Sequence, residues 1–394
     1  SKTLLPDGTE IPGTNFDYNY LQHRKVDVVS SALDFILPFE KYKITAGAKV
    51  SFTNTRNGIN YDTSDPTLVQ DDYFRYKEQI YALYADYSRE YSERFSMQLG
   101  LRMEHTRTTG ISEAKDTEDK HDYTRLFPTV YLLYSPTDGH ALNFSFSNRI
   151  SRPSQNMVNP FPFYQNKYTY ACGREDLKPS YTYNAELGYT LKNNFNVSAY
   201  YSYSDDVFFQ VVDLDAETNV TSFLWENFMK THAFGLNNSY TFRTKWLQAY
   251  AQHGVSYRRT TSSAVTTSPE EKGWAYDASL RNTFFFNEKK TLLATLSGSY
   301  SSRQYQGIYL MSPTYSVSAG MLYRLLDNKL NLSLNVNNLF VSHSKLETMS
   351  NGLKIIADNQ FAFASFRIGV SYTFGGDIRS KGQRNSNEDI QRRL

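Results

Sequence analysis

A single cysteine, Cys172, occurs in 394 residues. The chain therefore holds no internal disulfide framework and no cysteine-based zinc cluster. Net charge is nearly absent as well, with 42 basic against 40 acidic side chains. No field gathers nucleic acid or an acidic surface, and no nucleic-acid partner is expected. No run approaches the ~18 to 20 consecutive apolar residues of a membrane helix. The opening "SKTLLPDGTE" has neither the basic nor the apolar region of a signal peptide, so a mature, trimmed or partial chain is expected. Metalloprotease H-E-x-x-H, G-x-S-x-G, P-loop and dinucleotide motifs are all missing, and the seven histidines are scattered. Neither an enzyme, a cofactor nor a metal site is expected.

What the chain has in quantity is aromatic side chains: 32 Tyr and 26 Phe beside only 12 Pro and 20 Gly. Rings and β-branched residues suit pleated surfaces, whereas runs of helical periodicity are scarce, so the fold class read here is all-β. Apolar and polar residues alternate with a period of two. In "RFSMQLGLRMEH", Phe95, Met97, Leu99, Leu101 and Met103 alternate with Ser96, Gln98, Gly100, Arg102 and Glu104. "ALNFSFSNRI", "KLNLSLNVNNLF" and "FRIGVSYTF" repeat the pattern.

A soluble sandwich alternates in the same way, but the alternating runs here often reach ten or more residues. That is the reach of a tilted strand crossing a bilayer, roughly 9 to 11 residues. Seven short turns, near 37–43, 90–95, 135–141, 191–196, 242–247, 286–291 and 326–330, alternate with long segments near 54–73, 108–121, 151–177, 214–230, 260–272, 302–311 and 341–358. Tight turns on one side and long loops on the other mark a transmembrane antiparallel up-and-down β-barrel, apolar face to lipid. About fifteen strands are expected. With the short turns periplasmic, the first strand starts outside, whereas single-chain barrels have even strand numbers and both termini in the periplasm. The expected organisation is an extracellular segment over 1–23, barrel over 24–375 and a flexible periplasmic tail over 376–394, with an earlier part of the barrel absent.

The stretch Ser145 to Tyr189, with "SRP" at 151–153, "NPF" at 159–161, "YTY" at 168–170 and "LKPSYTYNAELGY" at 177–189, resembles the C-terminal barrel of Bacteroidetes TonB-dependent receptors. "LFPTVYLLYSP", "KTHAFGLNNSYTF", "NLSLNVNNLF" and "FRIGVSYTFGG" extend the likeness over most of the chain from about residue 75. The resemblance implies a 22-stranded outer-membrane barrel closed by an N-terminal plug that contacts the TonB complex. It implies gated uptake of a scarce nutrient, whether glycan, iron chelate, vitamin or peptide, or else a surface binding barrel that no longer transports. The implied partners are outer-membrane lipid and lipopolysaccharide, the barrel-assembly machinery, TonB through the plug, and a surface lipoprotein. Phe366, Ile368, Val370, Tyr372 and Phe374 resemble the C-terminal signal that the assembly machinery reads.

Candidate ligand contacts are Phe163, Tyr164, Tyr168 and Tyr170 in the loop "NPFPFYQNKYTYACGRED", Arg152 just before it, and Trp225, flanked by Phe223 and Phe228, in a second aromatic loop. Such rings offer flat amphipathic surface to a ligand, or pack the loop onto the barrel rim. Arg102, Arg149, Arg324 and Arg367 fall on the inward parity as lumen-facing cations. The acidic run "SEAKDTEDKHD" (112–122) lacks ordered calcium-ligand spacing and reads most simply as a solvated loop tip.

Overall fold

The computed structural model describes residues 18–63, 71–113, 115–215, 217–342, 344–359 and 363–374. Six long strands come first: β1 (Tyr18–Pro38), β2 (Tyr42–Thr63), β3 (Asp72–Ser92), β4 (Phe95–Ser112), β5 (Thr117–Tyr134) and β6 (His140–Ser151). A four-residue helix α1 (Gln155–Val158) and a small hairpin of β7 (Phe163–Asn166) and β8 (Thr169–Cys172) interrupt the series. It resumes with β9 (Ser180–Leu191), β10 (Phe195–Asp215), β11 (Val220–Arg243), β12 (Leu247–Ser262), β13 (Glu270–Phe285) and β14 (Leu292–Ser301). The last elements are β15 (Gln304–Gln306), β16 (Tyr309–Met311), β17 (Thr314–Leu325), β18 (Leu330–Val341), β19 (Ser344–Ser350), β20 (Leu353–Asn359) and β21 (Ser365–Tyr372).

Among the described residues the large sheet has seventeen strands. Fifteen of them form one antiparallel ladder, β1 to β6, β9 to β14, β17, β18 and β21, each paired with the next. The all-β antiparallel architecture and the strand number agree with the sequence reading, and all seven short turns fall where expected. Tight geometry there rests on left-handed residues such as Gly139, Asn193 and Asn328 (φ +78°, +57° and +67°), which glycine and asparagine adopt at low cost.

The other side of the ladder corrects the sequence reading. Most of 54–63, 108–112, 117–121 and 220–230 is strand rather than loop, so that β2 is 22 residues long and β11 is 24. Crossing a bilayer takes about half of that length. The β2 and β4 extensions carry mostly Thr, Asn, Arg and Ser on both faces, whereas β11 sets Phe223, Leu224 and Trp225 on both. Either way the one-sided apolar marker of a strand disappears while the ladder bonds continue. Two further hairpins, β15–β16 and β19–β20, form a separate four-stranded sheet inside connections expected to be irregular. The Asn351-Gly352 turn of β19–β20, both residues at positive φ, is the sequence signal for such a hairpin. Residues 18–23, expected as loop, belong to β1. Residues 1–17 and the tail 376–394 lie outside the described residues.

The two faces of the ladder differ in kind. Leu334 and Ile368 stand opposite each other in register, as do Val336 and Phe366 and Leu332 and Val370, and Ile368 is 81% exposed. Rings end this apolar face at both levels. Trp274 meets Phe234 and Tyr257 at one level, and Trp246 stacks on Phe284 at the other. The ten residue steps from Trp274 to Phe284 span about 34 Å of strand, or about 25 Å of height at a tilt of about 40°, matching the apolar band of a membrane barrel.

Among the described residues the buried apolar clusters form at the long-connection end, the first of them on the opposite, polar-parity face. Ile59, Tyr61 and Phe74 of β2 and β3 pack with Val158, Phe161 and Leu177, and Phe208 and Trp225 of β10 and β11 join them. Strands far apart in ladder order thus meet over one face, which makes that face concave. A second cluster sets Val211, Val212, Phe228 and Met229 against Ile308 and Tyr309, with Leu346 and Ile355 beside them.

Candidate functional site

The connection from β6 to β9 builds the site. Pro153 precedes α1, and Asn159 ends it in extended conformation (ψ 115°), as a residue before proline must. The chain then turns through Pro160 into β7–β8, and β8 joins β11 in a short parallel ladder, Thr169 to Cys172 against Thr221 to Leu224. Register shifts after Ser204 and Val207, with Asp206 at φ +52°, re-aim the end of β10–β11 toward the hairpin. The Asp206 carbonyl accepts from Asn227 Nδ2 (2.7 Å) and Ser180 Oγ (3.0 Å).

A cavity of about 330 Å³ results, lined by Tyr20 and Gln22 of β1, Ile59 of β2, Asn156 of α1, residues on either side of the β7–β8 hairpin, and Trp225 of β11. Phe163 and Trp225, 62 positions apart in the chain, share this cavity, and Tyr20 closes edge-on against Phe163 at 5.3 Å. Tyr164 and Tyr170 face each other at 5.4 Å on the hairpin, while Tyr168 stands exposed near its turn. None of those three lines the cavity. Sequence reasoning missed Tyr20, Gln22 and Ile59. They arrive from β1 and β2, and no local pattern announces a contact across the concave face.

Arg152 lies beneath this loop rather than in the cavity. Its Nη2 donates to Glu104 Oε2 at 2.5 Å and to Thr106 Oγ1 at 3.2 Å, and the Arg152 and Glu104 side chains are only 11% and 9% exposed. Burial alone would lower the Arg152 pKa, but the Glu104 carboxylate outweighs it and holds the guanidinium above its usual value. Glu104 also accepts from Arg102 Nε at 2.6 Å, and Arg102 lies over the Tyr84 ring at 5.4 Å. Arg102 and Arg149 line a recess of about 510 Å³ on the concave face, with Asp86, Phe127 and Thr129. Arg324 and Arg367 are elsewhere, opposite Asn331 and Asn335 in register.

Further bonds fix the loop. Arg174 makes a paired contact with Asp176 (2.6 and 2.9 Å) and reaches Glu226 at 2.7 Å. The bond from Arg174 keeps the Asp176 carboxyl below its ordinary range. Tyr61 donates to the Pro162 carbonyl at 3.0 Å, and Thr117 to Glu175 at 2.7 Å. Cys172 donates to the Pro160 carbonyl, and burial pushes its thiol pKa up. The acidic run 112–122 pairs with its own neighbours, Lys120 with Glu118 and Arg107 with Asp122. Among the described residues no group of His, Cys, Asp and Glu is placed to hold a metal ion.

A long antiparallel ladder with an apolar belt, two rings of aromatics and a polar concave face defines a membrane β-barrel protein. Residues 2–372 match the model of the outer membrane protein beta-barrel family, and the chain belongs to that family. Its place is therefore the outer membrane. Among solved structures it is similar to the ferric yersiniabactin uptake receptor FyuA from Yersinia pestis, at 16% identity and TM-score 0.64 over 92% of this chain and 56% of that one. It is similar to the copper transporter OprC (13%, 0.64, 90% and 58%) and the ferric citrate transporter FecA (13%, 0.62, 93% and 56%). These neighbours are an uptake receptor and two transporters rather than enzymes, and at such identities the likeness is one of fold. The chain spans somewhat more than half of their lengths. No curated protein matches it.

Proposed function

We propose that the chain is the capture portion of a TonB-dependent outer-membrane receptor, of the kind found in Bacteroidetes, that takes up a scarce nutrient by binding and gated passage. The cavity of Phe163 and Trp225 carries this reading: it opens at the long-connection end, where the sheet's own loops cluster, on the concave side of a barrel whose solved neighbours are uptake receptors. The long connections then face the cell exterior and β21 ends toward the periplasm. The edges β1 and β21 carry no mutual pairing among the described residues, and the remaining strands and plug of a 22-stranded receptor supply closure and TonB contact. The apolar row of β21 serves the barrel-assembly machinery, the belt meets lipid and lipopolysaccharide, and a surface lipoprotein would dock on the outer loops.

A second reading has one observation behind it. The loops over the mouth are held by ion pairs and ladder bonds, which suits a fixed surface binding barrel without transport. Growth of a deletion strain on limiting ferric citrate, cobalamin, dipeptides or glycans separates the two. Loss of growth on one nutrient, restored by the intact gene but not by one lacking residues 163–172, supports the receptor. Unchanged growth and uptake on all of them overturns it in favour of the surface barrel.

A further inference from the structure

The residues lining the cavity at the mouth carry no formal charge: three phenyl or phenol rings, one indole, three amides, and Ile59, Pro162, Ala171, Cys172 and Gly173. We infer that this cavity takes an uncharged, hydroxyl-rich ring, a saccharide unit being the simplest ligand of that chemistry. The inference rests on the receptor reading and names its substrate class.

The polar groups of the wall are half committed. Gln22 Nε2 donates to Asn57 Oδ1 at 3.2 Å, which leaves the Gln22 carbonyl oxygen as an acceptor. Asn156 Oδ1 accepts from Arg24 at 3.4 Å, and Asn159 Oδ1 accepts from the Phe161 backbone N–H at 3.2 Å. Both asparagines keep an amide N–H₂ as donor. Donors and acceptors set between Tyr20, Phe163 and Trp225 match a ring whose edges carry hydroxyls and whose faces carry C–H groups, since a few placed polar groups fix orientation and flat rings supply area. About 330 Å³ lies at the small end of ligand pockets, which suits one or two such rings.

Other classes fit less well. An anion needs a cation to offset its desolvation, but among the described residues no Arg or Lys lines the cavity. Arg24 stands outside the lining, 3.4 Å from Asn156 Oδ1, and Arg174, next to Gly173, is committed to Asp176 and Glu226. A metal ion needs ligating carboxylates, imidazoles or thiolates, and the Cys172 thiol is bonded to backbone carbonyls instead. Ferric and copper cargo, which the names of the solved neighbours carry, therefore finds no counterpart in this wall.

Isothermal titration of the folded protein in detergent tests the inference, with maltose, cellobiose and N,N′-diacetylchitobiose set against glucuronate and ferric citrate. Saturable binding of a neutral disaccharide is expected. Phe163→Ala weakens it about tenfold, Trp225→Phe weakens it less, and Val265→Ser, at a fully exposed position far along the chain, leaves it unchanged. Binding of only the anionic probes, or of none of the five, overturns the inference. Neither outcome bears on the receptor reading, which stands or falls with nutrient-dependent growth.

Discussion

Replacing Glu104 with leucine removes the carboxylate that Arg102 and Arg152 share. Arg102 is about one-third exposed and turns to water. Arg152 is about nine-tenths covered and keeps its bond to Thr106, together with the Tyr123 hydroxyl and the attraction of the Glu78 carboxylate. Breaking one side of a buried ion pair costs about 3 to 5 kcal/mol, and the surviving contacts with Thr106, Tyr123 and Glu78 argue for the low end, about 3. The barrel ladder does not absorb this cost, because residues 152–179 can lift away and hydrate the guanidinium without breaking any pairing of β1 to β6. The opening equilibrium of the loop should therefore rise by about a hundredfold. Hydrogen exchange at the Thr221 amide of β11, which bonds to the Tyr168 carbonyl of the lifting segment, reads that change directly. Trypsin cleavage at Lys167 reads it independently. The paired variant Glu104→Leu with Arg152→Leu should recover most of the protection. If Glu104→Leu leaves both readouts at their original values, the ion pair does not hold the loop and the reasoning fails.

Burial holds the Tyr309 phenol near a pKa of about 12, against 10.0 for the free group. The raised pKa means that its contribution is intact below pH 10 and is lost as pH rises through 12. The packing of the β15–β16 and β19–β20 hairpins on β10 and β11, followed by near-ultraviolet circular dichroism, should weaken over that window in the original protein. Tyr309→Phe should lack that contribution to the pH dependence while losing about 1 kcal/mol with the bond to the Gln210 carbonyl. Ile368→Arg places a charge on the belt, costs about 2 to 4 kcal/mol at mid-membrane, and should lower the yield of heat-modifiable barrel on gels. Arg367→Leu, on the opposite face, should not. A Cβ on Gly173 would lie 2.3 Å from the Asn159 carbonyl oxygen and 2.5 Å from that of Met157. Gly173→Ala should therefore open the cavity wall at a cost of about 1 to 3 kcal/mol, visible as faster exchange at the Arg174 amide.

The parts of this fold that the sequence makes legible are those where one solvent enforces one pattern. Within the lipid belt each strand must present apolar residues on a single face, so the runs around Leu99, Leu332 and Ile368 and the turns between them read correctly. Above the belt that rule lapses. Thr53, Thr55 and Asn57 of β2 are buried polar residues, indistinguishable in sequence from loop, and the extension of the strand went unread. The site divides in the same way. Its aromatic content stood out as a cluster in 159–176, but the choice of Phe163 over Tyr164 depends on which side of a four-residue strand faces β1. The partner of Arg152 lies 48 positions away on β4, and nothing near "SRP" points to it.

The two apolar clusters sit at the mouth, under loops that water reaches, whereas the belt of Leu334 and Ile368 meets hydrocarbon. The two regions therefore respond differently to temperature. Apolar contacts made against water carry a large heat capacity and weaken on cooling. A side chain moving between protein and lipid does not cross that boundary. Chilling should thus loosen the grip of Val158 and Phe161 on β2 and β3 while the staves of the barrel stay in place, so that the mouth has its own thermal range within one continuous sheet.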